Sequence, residues 1–285
     1  MKEFFITTKN GKIWCLVYGQ EKKGTPLLVV HGGPGFPSMP EVIKDFSSDR
    51  PVYFYDQLGS GNSTRPQDMS LYSAQHYVEE LGEVIKALNL SSFVLAGFSW
   101  GAGLVSAFAI EQKPNGLKGL ILSGPLLSAP RWVIDQRLNM EDLPQKTIKV
   151  IEECEKNNDF GAAYQEAMME YYRLYIYRKN PWPESLMMAL GKLNPDVYMT
   201  MWGPSEFTVT GNLKTFDLTA RLQEIDAPVL LTCGQYDEAR VETIMEFQKL
   251  FKNAVVEVIP SSAHMHHLEQ PELYKRVVNR FLLDK

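Results

Sequence analysis

Apolar positions along this chain keep two rhythms, and the change from one to the other divides it. Residues 3–8 and 12–18 form two amphipathic stretches on either side of Asn10-Gly11, which predicts a β-hairpin. Short, nearly continuous apolar runs follow near 26–31, 52–55, 92–97, 118–123, 227–233 and 254–259, separated by helix-period stretches such as 74–88. Strands that are apolar on both faces need cover on both faces, so the pattern predicts a mainly parallel sheet with crossover helices. Between about 126 and 210 the strand runs stop, and helical segments at 145–157 and 160–178 replace them. This predicts an α/β core made of 1–125 and 211–285, with 126–210 inserted as a helical cap.

Composition narrows the picture. A chain of 285 residues with 45% hydrophobic content can bury a large core, and it suits one domain carrying an insertion better than two independent folds. The net charge of −5 gives no electrostatic reason to expect nucleic acid or an anionic membrane as partner. Cys15, Cys154 and Cys233 are too few and too scattered for a disulfide framework or a zinc site, and two of them fall in apolar strand runs. The first apolar run is too short for a signal peptide and no run approaches a membrane span, so the expected setting is soluble and cytoplasmic. Seven of the twelve methionines fall in the inserted segment, at Met140, Met168, Met169, Met187, Met188, Met199 and Met201. Most of these are expected to pack cap helices together, with the return segment 201–207, Phe36 and Trp100 as the candidate pocket walls.

The chemistry starts at Gly97-Phe98-Ser99-Trp100-Gly101, which follows one apolar run and opens a run of small residues. A G-x-S-x-G segment between strand and helix forms a sharp elbow that pushes the serine hydroxyl out beside a helix N-terminus, making Ser99 the candidate nucleophile. Such a serine needs a base, and the base needs an orienting acid. Asp237 follows the late apolar run 227–233, whereas Asp217 and Asp226 precede it and read as a cap and a solvated turn residue. His264, His266 and His267 all follow the run 254–259; His264 is nearest the strand end and is the candidate base, whereas His266 and His267 run into the cap and first turn of the terminal helix. No helical His-x-x-x-His pair occurs among the three, so a metal cluster is not expected and no cofactor is implied. Gly32-Gly33-Pro34-Gly35 ends an early apolar run, and the amides of Gly33 and Trp100 are the candidate oxyanion donors. His31 reads as a hydrogen-bonding residue that orients this loop.

Together, His31-Gly-Gly-Pro-Gly35, Tyr55-Asp-Gln-Leu-Gly-Ser-Gly-Asn-Ser63, the Ser99 elbow, Trp202-Gly-Pro-Ser-Glu-Phe207 and Ser262-Ala-His264 resemble the proline iminopeptidases. The likeness is greatest to the shorter branch that includes the tricorn-interacting aminopeptidase. It implies an α/β-hydrolase fold with a helical cap, and release of an N-terminal residue from a short peptide through an acyl-enzyme. It also implies that Glu206 and Glu238 grip the substrate's free α-amino group. An ammonium with three donors between two acceptor-only carboxylates is a sound pairing. The expected function is thus a cofactor-independent serine aminopeptidase acting on proline or a small apolar residue. An amino-acid amidase or esterase is the alternative, and a non-catalytic binding protein on the same fold a third reading.

Overall fold

The computed structural model describes residues 1–283 and 285. Eight strands form one sheet: β1 (Lys2–Thr8), β2 (Gly11–Tyr18), β3 (Leu27–Val30), β4 (Val52–Tyr55), β5 (Phe93–Phe98), β6 (Leu117–Ser123), β7 (Val229–Gly234) and β8 (Ala254–Ile259). Their spatial order is β1-β2-β4-β3-β5-β6-β7-β8, antiparallel across β1, β2 and β4 and parallel from there on. This is the mainly parallel sheet that the two rhythms predict, in the α/β-hydrolase architecture that the resemblance implies. The hairpin turns one residue earlier than Asn10-Gly11 suggests, because Thr8 pairs with Gly11 and Lys9-Asn10 form the loop. The Thr8 hydroxyl wins that register by donating to the Gly11 carbonyl at 2.9 Å and accepting from the Asn10 amide.

Helices cover both faces of the sheet. Helix α1 (Ala74–Ala87) starts where the Ser73 hydroxyl accepts from the His76 amide, and it buries Tyr77, Leu81, Val84 and Ile85 along one stripe. Helix α2 (Trp100–Gln112), rich in small residues, is buried nearly all round and can lie close to the sheet. A β-carbon on Gly101 would collide with the carbonyls of Val30 and His31, and one on Gly97 would collide with Gly101 itself. The bare backbones therefore touch where β5 turns into α2 next to the end of β3.

Between β6 and β7 the chain leaves the sheet for α3 (Ala129–Met140), α4 (Gln145–Asn157), α5 (Ala162–Tyr175), α6 (Glu184–Lys192) and α7 (Pro195–Met201). Helices α4 and α5 share a core of their own, in which Met140, Ile151, Tyr164, Tyr171 and Phe207 are buried. After β7 come α8 (Val241–Gln248), the single turn α9 (His266–Glu269) and α10 (Pro271–Leu282), which lays Tyr274, Val277, Val278 and Leu282 against the second face of the sheet. Among the described residues no helix is long and apolar enough to cross a membrane. The close approach at the elbow leads to one expectation: Gly101→Ala should cost about 3 kcal/mol or more, because neither strand carbonyl can retreat. A loss of under about 1 kcal/mol in denaturant unfolding would contradict it.

Candidate active site

Ser99 follows β5 and caps α2 with φ +52° and ψ −118°, a conformation that side-chain-bearing residues rarely adopt. It is held there on both sides. Its amide donates to the Ser123 carbonyl at 2.9 Å, and its carbonyl accepts from Ala102 at 3.0 Å and Leu126 at 3.2 Å. The elbow is thus fixed by β6 and by the first turn of α2, with the serine at a cavity wall.

Asp237 follows β7 and is buried. Its Oδ1 accepts from the Ala239 amide at 2.9 Å and from His264 Nδ1 at 2.7 Å, while Oδ2 accepts from the Gly234 amide at 3.0 Å. Burial pushes this carboxyl up, but the charge and hydrogen bond of His264, with His266 adding to both, hold it well below the usual range. Asp217 instead accepts from the Thr219 amide, and Asp226 pairs with Lys252 on the surface. The three histidines part company. His264 faces Asp237 with Nδ1 and turns Nε2 toward Glu238 Oε1, 3.5 Å away. His266 is more than a cap residue: it is fully buried, with Nε2 on the Thr232 hydroxyl at 2.9 Å and Nδ1 3.5 Å from Asp237 Oδ2. The triad acid therefore lies between two imidazoles. His267 packs its ring on Phe98 at 4.8 Å.

Gly33 has φ +114°, a backbone conformation open to glycine. Among the described residues neither its amide nor that of Trp100 has an acceptor. The Trp100 indole, expected in the pocket wall, is fully buried instead, packed edge-on against Tyr77 and Phe216. Phe36 does reach the cavity.

That cavity, about 520 Å³, is lined by Ser99, Gly33, His264, Glu206 and Glu238. Glu238 is buried and Glu206 is half-buried. Glu206 Oε1 accepts from the Tyr198 hydroxyl at 2.5 Å; burial pushes its carboxyl up, against the pull of that bond and of His264. Glu238 is pushed well above the usual range, first by burial and then by the charges of Glu206 and Asp237, and its Oε2 has no partner. Helix α3 spaces the pair: Trp132 Nε1 donates to the Glu206 carbonyl at 3.2 Å and Gln136 Nε2 to the Glu238 carbonyl at 3.0 Å. The sequence reading missed Trp132 and Gln136, although their i, i+4 spacing puts both on one helix face. It also placed the pocket wall too narrowly. Of the return segment only Pro204 and Glu206 line the cavity, and α5, α6 and α7 contribute Met168, Tyr172, Leu186, Leu190 and Met199.

A family model described as alpha/beta hydrolase fold matches residues 25–271. The proline iminopeptidase of Heyndrickxia coagulans is 41% identical over 283 residues, spanning 98% of this chain and 98% of its own. The chain belongs to the proline iminopeptidase family. The proline iminopeptidase of Chitinophaga pinensis is 34% identical over 97% of this chain and 96% of its own. The solved structure of a proline iminopeptidase from Mycobacterium smegmatis has a TM-score of 0.89 at 30% identity, covering 99% of this chain and 97% of that one. A structure described as VinJ gives 0.92 at 29%, covering 99% and 98%.

In this member of the proline iminopeptidase family the electrostatics of His264, as the candidate base, predict a pH dependence. Burial lowers the affinity of the ring for a proton, but the Asp237 charge and hydrogen bond and the Glu206 charge outweigh it and raise it above the ordinary value. A protonated ring cannot accept the serine proton, so activity is lost as pH falls through the raised value. The acid limb of kcat/KM should have its midpoint above about 6.5, and Asp237→Asn should cut kcat by about 10⁴-fold. A wild-type midpoint below 6 would contradict the first expectation.

Proposed function

We propose that this serine aminopeptidase removes one N-terminal residue, proline or a small apolar amino acid, from short peptides through an acyl-enzyme on Ser99. His264 takes the Ser99 proton and returns it to the leaving amine, Asp237 holds the imidazole, and the amides of Gly33 and Trp100 receive the oxyanion. Glu206 and Glu238 bind the substrate's ammonium. Residues 126–210 act as the cap that closes this site from solvent, and three free cysteines suit a reducing, cytoplasmic setting.

One distance carries the reading: Glu238 Oε1 lies 3.5 Å from His264 Nε2. A peptide's α-nitrogen is two bonds from its first carbonyl carbon, about 2.5 Å. An ammonium held by the glutamates therefore brings the first peptide bond, and no later one, to the nucleophile. Charge favours the same occupant. Burial pushes both carboxyls up and the charges of Glu206 and Asp237 push Glu238 further, and a cation with three donors relieves that repulsion and meets Glu238 Oε2, which has no partner among the described residues.

Aminoacyl fluorogenic substrates with free and acetylated N-termini test this. Acetylation should reduce kcat/KM by about 100-fold or more, as expected when buried charges lose their counter-charge. Glu206→Gln and Glu238→Gln should depress turnover of the free-amine substrates yet spare a simple nitrophenyl ester, and Ser99→Ala should abolish both while leaving the protein folded. Equal cleavage of free and acetylated substrates would replace this reading with a general esterase or amidase.

A further inference from the structure

The two amides assigned to the oxyanion lie on different elements, Gly33 on the loop after β3 and Trp100 at the start of α2, and catalysis depends on the spacing between them. We propose that Gln57, in the loop after β4, is a positioning residue that braces both donors at once, a role that rests on the proposed assignment of those amides to the oxyanion. Gln57 is 1% exposed and both ends of its amide are engaged. Oε1 accepts from the Trp100 indole Nε1 at 3.0 Å, and Nε2 donates to the His31 carbonyl at 2.9 Å. Its backbone amide also donates to His31 Nε2 at 2.9 Å.

That last bond decides the tautomer of His31. With Nε2 accepting, the neutral ring carries its proton on Nδ1, which lies 2.9 Å from the Gly32 carbonyl and donates to it. Burial pushes the His31 pKa down, against the Asp56 charge, so the ring stays neutral and keeps this arrangement. The Gly32 carbonyl and the Gly33 amide belong to one planar trans peptide, so fixing the oxygen on one side aims the N–H to the other. Gln57 thus reaches Gly33 through His31, and Trp100 through its indole. The brace has an anchor of its own. The Leu58 amide donates to the Glu80 carboxylate at 3.2 Å, and the Tyr77 hydroxyl donates to the Leu58 carbonyl at 2.7 Å, both from α1.

The test compares two ligands that share the amine but differ in needing an oxyanion. Prolinal forms a hemiacetal on Ser99 whose oxygen must be stabilised, whereas prolinol does not. Gln57→Leu should lower kcat on a nitrophenyl ester about tenfold to a hundredfold and weaken prolinal by a similar factor, with KM and prolinol affinity changed by no more than about threefold. Trp100→Phe keeps the backbone amide and deletes only the indole bond, so it should reproduce part of the loss. The double variant should lose less than the product of the two singles. A folded Gln57→Leu with unchanged kcat would overturn the proposal, as would equal weakening of prolinal and prolinol, which would mean that the residue shapes the whole pocket. If Gln57→Leu fails to fold, Trp100→Phe decides alone, and unchanged prolinal affinity in it overturns the brace. Equal affinity of the wild type for prolinal and prolinol would overturn the oxyanion assignment and the brace together. Equal cleavage of free and acetylated peptides would remove only the aminopeptidase reading, because the ester measurement does not use the amine site.

Discussion

Backbone touching backbone at Gly101 is the constraint on which the site depends. The first turn of α2 can sit against the end of β3 only because no β-carbon separates them from the carbonyls of Val30 and His31. That contact puts the Trp100 amide beside the loop carrying Gly33, and it forces the residue between strand and helix into the positive-φ conformation of Ser99. The conformation is costly, of order 1–3 kcal/mol. It persists because the Ser123 carbonyl and the amides of Ala102 and Leu126 hold the peptide groups of Ser99 in place.

The second organising principle is the control of buried charge. Asp237 is held anionic by backbone amides and two imidazoles, while burial drives Glu206 and Glu238 toward the neutral form and the charges of Glu206 and Asp237 add to the push on Glu238. Carboxyl groups in one cavity wall and just behind it are thus pushed in opposite directions. In the proposed reading the group with donors already around it serves the reaction, and the other two carboxyls receive a cation.

Much of this was legible in the residues. The two apolar rhythms gave the sheet and its insertion, since burial on both faces leaves an unbroken apolar run that no surface strand would keep. That Ser99, Gly33 and His264 would meet at one cavity, with Asp237 on His264, could be read because each candidate role asks for a residue type at a fixed place along a strand. Side-chain direction was not legible. Trp100 points into the core although it was expected at the pocket wall, and His266 lies against Asp237 although its position suggested a helix cap. Trp132 and Gln136 act through bonds to main-chain carbonyls far along the chain, and a sequence pattern carries no sign of which carbonyl a helix face will meet.

Glu206 and Glu238 belong to different parts of the molecule, one on the segment between α7 and β7 and the other on the loop behind β7. As the proposed ligand of both, the substrate's ammonium is a removable rivet between them. Empty, the joint carries two carboxyls that repel; filled, it carries a cation that draws both inward. The energy of binding is then shared between recognising the chain end and pressing the inserted helices onto the sheet. A ligand with the same apolar bulk but no amine would fill the cavity and leave that joint unfastened.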